Sequence, residues 1–75
     1  MQNNIPAQVI DFFQIRYPQT IITAETTFES LGIEGDDRVN IIMELEDSFG
    51  ITSTPKDTDG IYTVGESIAL IERKI

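Results

Sequence analysis

Apolar residues recur along this chain at helical spacing in three stretches. Between residues 5 and 16, Ile5, Val9, Phe12 and Phe13 fall three and four apart with Ile10 beside them, which makes one face of an amphipathic helix. The pattern ends that helix near Tyr17-Pro18, because the residue before a proline is pushed out of the helical region. A second row runs through Val39, Ile42, Met43, Glu46 and Phe49, is widened by Ile41 and Leu45, and stops at Gly50 as helices do before a glycine. The third, Val64, Ile68 and Ile71, predicts a helix over 64–73. Its start carries the capping box Thr63-x-x-Glu66, in which hydroxyl and carboxylate each satisfy a free amide.

The connections are less patterned. Residues 18 to 35 contain the β-branched run Thr20-Ile21-Ile22-Thr23, but no second strand exists for it to pair with, and an isolated strand is unstable. A loop with buried isoleucines is the expectation. The second helix should begin at Asp36 or Asp37, whose short acidic side chains can cap free amides and complement the positive end of the helix dipole. A short helical turn is expected at residues 57 to 61. The 75 residues therefore read as one domain, 1–75, of the all-α class: a bundle of three main helices and one short helix, without repeats.

Composition narrows the function. There is no cysteine and no histidine, so disulfides, thiolate metal sites and the usual general base and strongest nucleophile are all missing, and an enzyme is not expected. Met1-Gln2-Asn3-Asn4 lacks the charged and apolar regions of a signal peptide, and no apolar run approaches the roughly 18 residues needed to span a bilayer. A cytoplasmic location follows as the expectation. The formal net charge of −8 repels phosphate backbones and anionic lipid, so neither nucleic acid nor membrane is the expected partner. Residues 25 to 47 concentrate Glu25, Glu29, Glu34, Asp36, Asp37, Glu44, Glu46 and Asp47 against Arg38 alone. That is an acidic face suited to a protein partner with a basic patch, and also one that simple solubility explains.

With these motifs in place, the chain resembles the acyl carrier proteins. Phe28-Glu29-Ser30-Leu31-Gly32-Ile33-Glu34 is similar to that family's Phe-x-x-Leu-Gly-x-Asp approach, residues 39 to 51 to its second helix, and Thr63-Val64-Gly65-Glu66 to the start of its last. The resemblance implies a four-helix bundle and, at the top of the second helix, a serine that receives 4′-phosphopantetheine. Here the aligned residues are Glu34-Gly35-Asp36-Asp37. Glycine has no oxygen to form the phosphodiester, and Asp36 stands where the family usually carries an exposed leucine. The phosphopantetheine arm is therefore not expected. The chain resembles a group of acyl-carrier-like proteins with Gly-Asp-Asp in this region.

Carried over residue by residue, the resemblance implies partner docking through Glu34, Asp37, Met43, Glu46 and Asp47, with Asp36 added by its position. Asn40 departs from the carboxylate usual there, and Glu44 replaces a small residue. The leading expectation is a monomeric, acidic protein-interaction module that is not loaded at the usual site. An alternative is an acyl or peptidyl carrier loaded elsewhere, for which Ser30 is the decoy to test: Glu29-Ser30-Leu31 approaches the loading motif five residues early, but only Gly35 keeps the family's interval to Phe49. A further alternative is calcium binding by residues 55 to 66, which place Asp57, Asp59, Gly60 and Glu66 at loop positions 3, 5, 6 and 12 but put Pro55 at the first ligand position. No dedicated metal site is expected from that loop.

Overall fold

The computed structural model describes residues 4–75; Met1, Gln2 and Asn3, part of the signal-peptide reading above, lie outside the described residues. Three α-helices, α1 (Ile5–Arg16), α2 (Asp36–Ser48) and α3 (Val64–Lys74), are joined through two short 3₁₀ helices, Glu29–Leu31 and Pro55–Thr58. The chain is all-α, with an isolated antiparallel bridge between Thr27 and Thr63. No helix among the described residues is long and apolar enough to cross a membrane.

Each helix starts and stops for local reasons. Asn4 caps α1 by accepting from the Ala7 amide at 3.1 Å, with Pro6 in the first turn, where its missing N–H costs nothing. At the end of α2, the amides of Gly50 and Ile51 donate back to the carbonyls of Asp47 and Glu46, each at 3.0 Å, the paired closure that a glycine just past the helix end permits. The capping box at α3 forms as expected, with the Glu66 amide donating to Thr63 Oγ1 at 3.0 Å and the Thr63 amide to Glu66 Oε1 at 3.1 Å. The short helix expected at 57–61 lies instead at Pro55–Thr58. Pro55 supplies the fixed φ that opens it, and the Asp57 carboxylate accepts from the Thr54 amide.

Val9 and Phe13 of α1 meet Ile42 and Leu45 of α2 and Val64, Leu70 and Ile71 of α3 in one buried core. The long first connection adds Ile22, Phe28 and Ile33 to it. Of the two isoleucines expected to be buried there, Ile22 is inside and Ile21 is 84% exposed. Neighbouring side chains of an extended segment point to opposite sides, so only one can enter the core. Gln14 holds the segment in place: its amide donates to the Thr20 carbonyl at 2.7 Å and its carbonyl accepts from the Ile22 amide at 3.2 Å.

The far end of this connection lies against the start of α3, where the Gly65 amide donates to the Ala24 carbonyl at 2.8 Å. A Cβ at residue 65 would sit 2.8 Å from that same backbone oxygen. Gly65→Ala is therefore expected to destabilise the bundle by about 1–3 kcal/mol through overpacking, although alanine is the better helix former. A lower thermal midpoint by circular dichroism checks this, and an unchanged or raised midpoint would contradict the close approach.

Candidate functional site

The start of α2 is set by the turn before it. The Phe28 carbonyl accepts from the amides of Leu31 and Ile33, each at 3.0 Å, which folds Glu29–Leu31 into a 3₁₀ turn and drives Ile33 into the core. Glu34, Gly35, Asp36 and Asp37 then emerge as an exposed run. Gly35 is the residue before the first turn of α2, with φ +60° and ψ −133°, a conformation that side chains strongly disfavour. Because Gly35 occupies that capping position, Asp36 and Asp37 lie inside the first turn, and α2 starts without a side-chain cap hydrogen bond. The capping role expected of the two aspartates is not formed. Their charge at the positive end of the helix dipole remains favourable.

Space around Gly35 is open: among the described residues, its two chain neighbours apart, nothing lies within 4 Å of where a Cβ would be. What is missing is an atom. A phosphodiester to phosphopantetheine needs a side-chain oxygen, and residue 35 has none, so the group does not fit here. The nearby Ser30 hydroxyl is exposed and donates to the Thr27 carbonyl at 2.7 Å, within its own 3₁₀ turn.

Two depressions flank this start. A groove of about 580 Å³ between the end of α1 and α2 is lined by Asp37, Met43 and Asp47 among the expected docking residues, together with Asn40 and Glu44. Arg16 and Tyr17 of the α1 end close its other side. The Arg16 guanidinium lies 3.7 Å over the Phe12 ring, donates to the Phe12 carbonyl at 3.0 Å, and reaches Glu44 with its Nε 3.5 Å from Oε1. A smaller depression of about 450 Å³ is lined by Phe28, Ile33, Glu34, Gly35 and Arg38 and by Tyr62 and Thr63. Arg38 stacks on Tyr62 at 4.5 Å and donates to the carbonyls of Thr58 and Ile61, tying the start of α2 to the approach to α3.

Glu46, expected among the docking residues, is not on the exposed face of α2. Its side chain is fully buried, in the apolar row in which its spacing had placed it. Oε2 accepts from Lys74 Nζ at 3.2 Å, Lys74 also donates to the Asp57 carboxylate, and Glu46 Oε1 has no hydrogen-bond partner among the described residues. Burial pushes the Glu46 carboxyl above its ordinary range, an effect that Lys74 only partly offsets. The hydrogen bond between Asp57 and Lys74 acts oppositely on its two ends, holding Asp57 below the usual carboxylate range and Lys74 above the usual ammonium range.

These contacts also account for the calcium-like loop. Asp57 is engaged by Lys74, and Glu66 Oε1 accepts from the amides of Tyr62 and Thr63. Among the described residues no three His, Cys, Asp or Glu side chains gather as a metal site requires. The residues that sequence reasoning missed are Arg16, Tyr17 and Tyr62, which wall the two depressions through contacts made far along the chain. The four-residue interval from Phe12 to Arg16 was the one local signal of Arg16's anchorage.

No family model matches the chain, and no solved structure matches it. Curated sequences do match. The acyl carrier protein of Exiguobacterium is 40% identical over 55 residues, covering 72% of this chain and 70% of that protein. A putative mitochondrial acyl carrier protein of Schizosaccharomyces pombe is 32% identical over 65 residues, covering 87% of this chain and 58% of its own length. Chloroplastic acyl carrier protein 2 of Arabidopsis thaliana is 45% identical over 51 residues, covering 68% of this chain and 38% of its own. An all-α chain that shares this identity with most of the bacterial protein belongs to the acyl carrier protein family, whose members are carriers and not enzymes.

Proposed function

We propose that this chain is a member of the family that is not loaded with phosphopantetheine at the usual position and acts instead as an acidic protein-interaction module for partners with a basic patch. The observation that carries the reading is Gly35 at the start of α2, with no side-chain oxygen and a positive φ. What supports the second half is the exposed acidic run around it, Glu34, Asp36 and Asp37, and the continuation of that run to Glu44 and Asp47 on α2.

Incubation with coenzyme A and a broad-specificity phosphopantetheinyl transferase, followed by intact mass, is expected to give no adduct. An adduct at Ser30 would overturn the reading in favour of a carrier loaded elsewhere. Gly35→Ser is expected to restore loading only slowly. Serine at φ +60° and ψ −133° costs about 1–3 kcal/mol of backbone strain, so the helix start must rearrange, and Asp36 replaces the apolar residue beside it. Rapid, complete loading of that variant would mean that the helix start is not held in the glycine conformation.

A further inference from the structure

We propose that residues 52–57, on the connection between α2 and α3, form a flap that Lys74 latches over the buried Glu46 carboxylate, and that proton uptake by Glu46 holds this flap shut. Thr52-Ser53-Thr54-Pro55-Lys56-Asp57 contributes no side chain to the apolar core. A segment that buries so little opens locally at low cost. It lies between Gly50 and Gly60, both at positive φ, and its inner end is fixed at Thr58, whose carbonyl accepts from Arg38. Turns of this kind absorb backbone rotation, so 52–57 can swing out while the helices stay in place.

Among the described residues, the side-chain hydrogen bonds that join this segment to the helices come from Lys74, to the Thr52 carbonyl at 3.4 Å and to the Asp57 carboxylate, and from Ser53 to Asp47 at 3.3 Å. With Glu46 Oε2 at 3.2 Å, the Lys74 acceptors use all the N–H donors of its ammonium. One cation thus fastens α2, α3 and the connection at a single point. The side chains of Lys74 and Asp57 are 27% and 23% exposed and that of Glu46 is not exposed at all, so the first two stand between the buried carboxylate and solvent.

The latch confines Glu46 where its charge is disfavoured. Oε1 is buried without a partner among the described residues, so half of the ionised carboxylate is desolvated with nothing in return. Opening the flap lets water reach that oxygen, which favours the ionised group far more than the neutral acid. The shut form therefore binds the proton more tightly than the open form, and opening increases as pH rises through the titration of Glu46. The charged groups acting on Glu46 are Asp57 from the short helix and Lys74 from α3. Asp57 is held below the usual carboxylate range and Lys74 above the usual ammonium range, so both keep their charge while Glu46, raised by burial, titrates between them. The latch stays charged; the group beneath it changes.

The test is ¹⁵N relaxation dispersion on the full chain, which reads the population of a minor open form residue by residue, with the Glu46 carboxyl ¹³C shift followed on the same samples. The open population at the amides of 52–57 is expected to rise about threefold or more as Glu46 ionises, with the midpoint of the ¹³C shift, while amides inside α1 show no such change. Glu46→Gln should keep the flap at its acid level at every pH. Asp11→Asn, which removes the same charge from the exposed side of α1, should leave the pH response intact. Glu46→Gln combined with Lys74→Met removes the latch without leaving a bare buried charge, and is expected to raise the open population about tenfold or more over Glu46→Gln alone. Circular dichroism of each variant confirms that the helices persist. A pH response that survives in Glu46→Gln, or that vanishes in Asp11→Asn, would assign opening to net repulsion and overturn the proposal. A double variant no more open than Glu46→Gln, or a wild type without dispersion at 52–57 at any pH, would overturn it as well.

Discussion

Glu46→Lys is expected to destabilise this bundle severely at neutral pH. The carboxylate it removes is fully buried and accepts from the partly exposed Lys74, so the variant would bury an ammonium group and set it against that of Lys74. Placing an uncompensated charge where the buried carboxylate stood costs about 3–5 kcal/mol. A chain of this length has roughly 4–11 kcal/mol of total stability, so the loss consumes a large part of it. Asp47→Lys, one residue along and exposed, should leave the melt nearly unchanged. Thermal and urea melts followed by circular dichroism distinguish the two; coincident curves would mean that Glu46 faces solvent after all.

Glu46→Gln separates charge from shape and has a defined pH signature. Since burial raises the folded-state pKa of Glu46, the native state holds that proton more tightly than the unfolded chain does. Stability from this group is then greatest below the ordinary glutamate range, near 4.3, and falls as pH rises through the raised value. The Gln variant lacks this loss. It is expected to be at least as stable as the wild type at pH 7, with the difference shrinking as pH falls through the raised value to the ordinary glutamate range. Asp57 runs the other way: its lowered pKa stabilises the fold above the ordinary aspartate range, and that contribution fades as pH falls through the lowered value. Asp57 is present in both proteins and shares Lys74 with Glu46, so the difference between their pH profiles reports Glu46 together with its coupling to Asp57. A Gln variant as damaged as the Lys variant would show that the ion pair with Lys74, not the burial of charge, decides the energetics.

The helices were legible because their causes are local. Row spacing, the proline after Tyr17, the glycine after Phe49 and the Thr63–Glu66 box each act within a turn or two, and all appear at their expected places. Legibility fails where a side chain's role depends on a distant partner. Glu46 shows both sides of this: its place in the apolar row was a sound local signal of burial, yet its charge argued for the surface, and only Lys74, twenty-eight residues away, reconciles the two. Arg16 is similar, since nothing near it in sequence announces Glu44. Asp36 and Asp37 failed for a subtler reason. The capping position fell to Gly35, one residue earlier, and a one-residue shift at a helix start is enough to convert a cap into a dipole partner.

Phe28→Ala is expected to be the most damaging substitution in the long first connection. The ring is 1% exposed and lies 5.6 Å from that of Phe13, while the backbone of the same residue accepts from Leu31 and Ile33 and donates to the Tyr62 carbonyl at 2.9 Å. Side chain and main chain thus fasten the same point: the ring anchors the connection to α1, and the amide anchors it to the approach to α3. Truncation to alanine removes the first and leaves a cavity under the second, for a loss of about 3–5 kcal/mol. In a chain of this size that lowers the thermal midpoint by about 12 °C or more. Phe28→Leu keeps most of the volume and should cost clearly less. Ile21→Ala, seven residues earlier on a side chain 84% exposed, should move the midpoint little, since surface changes of this kind stay within about 0.5 kcal/mol. Because Phe28 and Ile33 also wall the depression beside Gly35, the alanine variant should loosen the start of α2 before the rest of the bundle melts. Amide exchange reads this directly: Ile33 and the first turn of α2 should lose protection at temperatures where the interior of α3 keeps it. Equal midpoints for Phe28→Ala and Ile21→Ala, or uniform loss of protection along all three helices, would mean that the position of Gly35 is set by the helices themselves and not by this anchor.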